Sequence, residues 1–217
     1  AGTRRGLVQG AKACVSPANM DAGGGLIACC DLFLLQLEIP METVSHALHV
    51  LHEMGKRVIL DPAPAAMLPG PAWQCIDVIT PNGTELALLA GMVIDTPDDV
   101  ERAARTLLAR GVGAVVAKMG RQGAMVVQKD VCRHVPGFVV STVDTTAAGD
   151  SFNAGLAVAL SLGKELPQAV RYATAVGALS TAAAGAQAAM PSAAEVDRLR
   201  RHAGGSTRVP PDGGSHE

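Results

Sequence analysis

The chain has 217 residues, 48% of them hydrophobic, which suits one α/β domain with a sizeable buried core. Three Phe, one Tyr and one Trp are its only aromatic residues, so that core must be built from Ala, Val and Leu. Formal net charge is −2, and Lys/Arg residues cluster only at Arg4-Arg5 and at Arg198, Arg200 and Arg201, which argues against nucleic acid as a main partner.

Along the chain, strand-like runs alternate with helical ones. Residues 31–37 form a continuous apolar run, predicted to be a strand covered on both faces. Val44, Ala47, Leu48 and Leu51 have helical spacing, and Gly55 is a plausible stop. Strands are predicted over 57–61 and 77–80, and helices over 84–90 and 97–110. Two more strands, 114–118 and 124–127, flank a turn at Gly120 and Gly123, and a short one lies near 131–135. Helices follow from 149, over 167–180 and over 192–202. This alternation predicts a mostly parallel sheet with helices on both faces. Residues 203–217, rich in Gly, Pro and Ser, are expected to be a disordered tail beyond a single domain over 1–202.

Cysteines at 14, 29, 30, 75 and 132 contain no Cys-x-x-Cys pair and read as reduced thiols. No signal peptide is visible, and the uncharged stretch 172–190 is too weakly apolar for a membrane span. A cytoplasmic protein without membrane or nucleic-acid partners is expected. His46, His49 and His52 drift around one helix and read as a solvated face rather than a metal site. P-loop, dinucleotide-binding and zinc-protease motifs are missing, and the glycine after Ser151 falls one position too late for a nucleophile elbow.

The most informative segment is 144–155, Asp-Thr-Thr-Ala-Ala-Gly-Asp-Ser-Phe-Asn-Ala-Gly. It reads as a loop entering a buried helix, with Thr145 or Thr146 as candidate cap. Unpaired amides and the dipole at such a helix start favour an anion. Asp150 stands inside that site, where a carboxylate is unfavourable unless it does chemistry. It makes sense as the base for a hydroxyl that attacks phosphorus. After the 77–80 strand, Asn82 and Glu85 fall one helical turn apart. They could hold water around a magnesium–phosphate complex. A plain helix cap with a capping-box Glu85 explains them equally well. Backbone at Gly120 could approach a phosphate closely.

Together these segments resemble the PfkB family of ribokinase-like carbohydrate kinases over most of residues 8–200. The 144–153 segment looks like the family's C-terminal signature, and Asn82 and Glu85 match its Asn-x-x-Glu element. Gln36-Leu-Glu38-Ile-Pro40 and Asp61-Pro-Ala-Pro-Ala65 are similar to its ribokinase branch, and Gly185-Ala186-Gln187 to its late loop near adenine and a monovalent cation. The resemblance implies a three-layer α/β/α fold and ATP-dependent phosphorylation of the primary hydroxyl of D-ribose. Asp150 would be the base, and the amides of Ala147, Ala148 and Gly149 the anion hole. Asn82, Lys118, Gly120, Gly123 and Thr174 would face the nucleotide, with Glu85 holding Mg²⁺ through water. Glu38 would contact the sugar, and Asp144, Thr146 and Gly185 would belong to a K⁺ site. Complete members are implied to form homodimers.

The chain departs from the family pattern in several places. The segment matching residue 8 normally lies well inside a longer chain, and the first methionine here is Met20. The N-terminal strands, the lid and most of the sugar-gripping motifs are therefore expected to be missing. Lys118 stands where many members have Thr, Ala147 where Gly is commoner, and Thr174 where Asn or His often meets adenine. Ala183 and Ala189 stand where polar residues often support the cation loop. A non-catalytic nucleotide-binding remnant, or a kinase for fructose or a nucleoside, is the competing reading.

Overall fold

A computed structural model describes residues 11–185 and 189–204 of the chain. Among the described residues, six strands form one sheet in sequence order, with β1 at one edge: β1 (Leu32–Gln36), β2 (Arg57–Asp61), β3 (Val78–Ile79), β4 (Ala114–Lys118), β5 (Gly123–Gln128) and β6 (Val131–Pro136). The first three pairings are parallel, whereas β4–β5 and β5–β6 are antiparallel. The helices are α1 (Pro17–Ala22), α2 (Gly24–Ala28), α3 (Met41–Glu53), α4 (Gly83–Ala90), α5 (Pro97–Leu108), α6 (Ala148–Ser161), α7 (Leu166–Ser180) and α8 (Ala193–Gly204).

Strand alternation sends neighbouring side chains to opposite faces, and each face meets its own helices. Val58, Leu60, Ile79, Val115 and Val127 pack with Val44, Leu48 and Leu51 of α3, Leu86 and Leu89 of α4, and Leu107 of α5. Ile59, Val78, Val116 and Val126 pack with Phe152 and Leu156 of α6 and Ala169, Val170 and Ala173 of α7. The predicted three-layer arrangement is thus present. All the larger predicted strands and helices appear, with ends shifted by a few residues. Two short N-terminal helices, α1 and α2, were not predicted. α8 ends at Gly204, two residues beyond the expected domain end, and the remainder of the expected tail lies outside the described residues.

One expectation needs correction. The apolar run at 31–37 forms β1, yet β1 is an edge strand with no fully buried residue, and Leu34 is 41% exposed. An uninterrupted apolar run records hydrophobic demand on both faces, and here the second face is only partly covered. His46 bonds Asp21 and His49 bonds the Ser45 carbonyl, so the three histidines do not converge. All five cysteines are free thiols, with Cys75 buried. Among the described residues, no helix is long and apolar enough to cross a membrane.

Candidate active site

The carboxyl ends of the parallel strands carry the chemistry, as is general for open α/β sheets. Gln36 ends β1, Asp61 ends β2, and Lys118 ends β4. Asn82 follows β3 and bridges to Lys118, whose amide donates to the Pro81 carbonyl at 2.8 Å. α6 starts beside this row, close enough that a Cβ added at Gly149 would lie 3.6 Å from Lys118 Nζ.

The start of α6 differs from its sequence reading. Neither Thr145 nor Thr146 is the cap; Ala147 is, in left-handed backbone at φ 59°, ψ 14°. Alanine has no side chain with which to bond the first turn. The Ala148 amide turns back to the Thr145 carbonyl at 3.3 Å, and the Ser151 amide makes the first helical bond, to Ala147 O, at 2.9 Å. Helix geometry leaves the Gly149 and Asp150 amides without an i−4 partner. Asp150 itself is solvent-exposed, and its Oδ1 accepts a hydrogen bond from Gln36 Nε2 at 2.9 Å.

Lys118 and Asp61 form a buried ion pair, Nζ to Oδ1 at 2.8 Å, with side chains 14% and 4% exposed. Gln36 Nε2 also donates to Asp61 Oδ2, at 3.1 Å. Sequence reading gave Gln36 and Asp61 no role. The available signal was their position at the ends of predicted parallel strands.

Asn82 and Glu85 form a complete capping box at the start of α4. Asn82 Oδ1 accepts from the Glu85 amide at 2.9 Å, and Glu85 Oε2 accepts from the Asn82 amide at 2.7 Å. Asn82 Nδ2 donates to Glu85 Oε1 at 2.7 Å. Burial pushes the Glu85 carboxyl above the usual glutamate range, opposed by the Asn82 amide and the Lys118 ammonium and reinforced by Asp61. The capping-box reading of Asn82 and Glu85 is therefore the one observed.

Between the start of α6, α7 and the 137–142 segment lies a cavity of about 560 Å³. Its lining includes the apolar Phe138, Val140 and Ala178 as well as Lys118 and Gly149. Gly120, at φ 57° with open space beyond its Cα, lines it. Gly123 lines it too, but its absent side chain has a packing reason, since a Cβ there would sit 2.1 Å from the Val135 carbonyl. Thr174 is on the wall, yet its hydroxyl donates to the Val170 carbonyl at 2.8 Å, which leaves its methyl group for contact.

The remaining predicted residues divide into two groups. Asp144, Thr146 and Gly185 come together, the latter two donating backbone amides to the Asp144 carboxylate at 2.9 and 3.5 Å. Glu38 lies just beyond β1, paired with Lys12. Ala186 and Gln187 lie outside the described residues.

The carboxyl ends of the parallel strands, a cavity lined by Lys118 and Arg121, and a helix start without a side-chain cap thus meet in one place. The sequence matches the pfkB family of carbohydrate kinases across residues 12–193, and the chain belongs to that family. It is 35% identical over 197 residues to the ribokinase of Haemophilus influenzae, a match covering 91% of this chain and 64% of that one. It is 36% identical over 187 residues to the deoxyribokinase of Salmonella typhi, covering 86% and 61%. The chain therefore spans under two thirds of the length of these relatives. Among solved structures, Arabidopsis thaliana ribokinase complexed with ribose and ATP superposes with a TM-score of 0.78 at 30% identity, covering 82% of this chain and 58% of that one.

Proposed function

We propose that the chain is an ATP-dependent sugar kinase that transfers the γ-phosphoryl group to the primary hydroxyl of D-ribose. One observation carries this reading: an aspartate at a helix start that has no side-chain cap and lies beside the Lys118–Asp61 pair. First-turn amides without a helical partner favour an anion there. The cavity volume falls in the usual range for small-molecule sites, roughly 300–1,000 Å³. Its apolar lining, with Phe138, Val140 and Ala178, suits a base, and its basic residues, Lys118 and Arg121, suit a triphosphate.

In this mechanism Asp150 accepts the proton of the sugar hydroxyl as its oxygen bonds to phosphorus, the bond to ADP breaks, and ADP leaves with the electron pair. The amides of Ala147 and Gly149, that of Ala148 once it leaves the Thr145 carbonyl, and Lys118 hold the charge on the transferring group, and Gly120 and Gly123 line the phosphate groove. Positioning and electrostatics account for most of the rate in such transfers. Glu38 would meet the sugar after release from Lys12. The donor set fits Mg²⁺, which takes oxygen ligands and keeps its waters, because the buried Glu85 carboxylate gains from a neighbouring cation. Asn82 and Glu85 would hold it, and when bound it neutralises charge on the β- and γ-phosphates. Asp144, Thr146 and Gly185 would hold a potassium ion.

The match to a deoxyribokinase favours a second sugar, 2-deoxyribose, which shares the same reacting hydroxyl. A coupled assay of ADP release tests both. Ribose is expected to stimulate release, and Asp150→Asn to lower it by about 10²–10⁴-fold. Unchanged turnover in Asp150→Asn would remove Asp150 as base. Nucleotide binding without sugar-stimulated release would favour the non-catalytic reading.

A further inference from the structure

Gln36 occupies an unusual position between two carboxylates. It ends β1 in register with Asp61, which ends β2. Its single amide nitrogen donates to Asp61 Oδ2 at 3.1 Å and to Asp150 Oδ1 at 2.9 Å. A side-chain amide nitrogen has two protons, so this arrangement uses both of them. Asp61 in turn is fixed by Lys118 at 2.8 Å, with only 4% of its side chain exposed. Side-chain contacts thus run from β4 through β2 and β1 to the start of α6.

Asp150 is exposed, and among the described residues the hydrogen bond to its carboxylate comes from Gln36. An exposed aspartate samples several rotamers, whereas a base must hold one orientation toward its hydroxyl. We propose that Gln36 is a positioning residue for Asp150, itself held by the Asp61–Lys118 pair. By occupying Oδ1, Gln36 directs the second carboxylate oxygen, Oδ2, to the incoming hydroxyl. A neutral amide suits this task because it orients the carboxylate without placing a second charge on it. The inference rests on the phosphotransfer reading above.

Two measurements on the 217-residue chain test it. The first is the ¹⁵N and ¹H shift of the Gln36 side-chain amide by NMR, which Asp150→Asn is expected to move. The second is steady-state kinetics of Gln36→Leu, with Gln36→Glu as a second variant in case the first fails to fold. For both variants kcat is expected to fall about 10- to 100-fold, with KM for ATP within about twofold of the unsubstituted chain, since displacement of a reacting group by about 1 Å can cost 10²-fold. A merely structural role would move both constants or neither. An amide resonance that ignores Asp150→Asn would overturn the contact. A shifted resonance with unchanged kcat would overturn the positioning role and leave the kinase reading standing. A shifted resonance in a chain whose ADP release never responds to ribose would refute the kinase reading, and the positioning role with it, leaving only a structural hydrogen bond.

Discussion

Ala147 carries backbone strain at the entrance to α6. Left-handed backbone costs a non-glycine residue roughly 1–2 kcal/mol, and Ala147, the cap of α6, adopts it. Having no polar side chain, it leaves the first turn of the helix without a side-chain cap. Replacing Ala147 by Gly removes the strain, offset in part by the larger entropy that glycine loses on folding. Ala147→Gly is expected to raise stability by about 0.5–1 kcal/mol, read as a higher urea midpoint at constant slope. A lower midpoint would show that the alanine is unstrained. The sequence showed this residue as part of a motif but not its backbone, because an unusual φ leaves no mark on a non-glycine residue type. Asp150 was readable because it stands inside a recognisable sequence motif at a helix start. Gln36 and Asp61 were not, since their partners lie 114 and 57 residues away in the chain.

Elements were legible where one face is apolar and the ends carry a signal. α5 is the clearest case, beginning with Thr96 before Pro97 and burying Val100, Ala103, Ala104 and Leu107. Its N-terminus also sets an acid sensitivity. Asp99 accepts from the Thr96 hydroxyl at 2.7 Å, the Thr96 amide at 2.8 Å and the Asp95 amide at 3.2 Å, and also pairs with Arg102. The Thr96 hydroxyl and then these amides hold its carboxyl down from 3.8 to about 2. A depressed folded-state value stabilises above the unfolded one, so this contribution is complete above pH 3.8 and disappears as pH falls through about 2. Asp99→Asn is expected to lower stability near neutral pH and to flatten its decline between those values, as followed by circular dichroism melts across the acid range. An unchanged decline would show that other carboxylates control it. α1 was not legible for the opposite reason, since it buries no residue and gives no apolar period to read. β1 was legible as a strand but not as an edge, because its apolar run does not reveal how much of each face is covered.

At the scale of the whole molecule, the sheet separates two tasks. One face packs α3, α4 and α5 into a core, while α6 and α7 on the other face hold the start of α6 against the strand ends. A rigid sheet edge thereby positions side chains contributed by three strands, the cap of α4 and the start of α6, which suits chemistry that depends on placement more than on reactive groups. Within the described residues, the cavity beside α6 and the Asp150–Gln36–Asp61–Lys118 row form a continuous path through Lys118. On the proposed reading the phosphoryl group ends on the sugar oxygen that faces Asp150, which ³¹P NMR of the chain with Mg–ATP and ribose reads without a coupling enzyme. A phosphomonoester signal is expected to grow as the γ-phosphate signal falls, with none when the sugar lacks its 5-hydroxyl. Loss of the γ-phosphate signal to inorganic phosphate alone, at a rate indifferent to sugar, would contradict it.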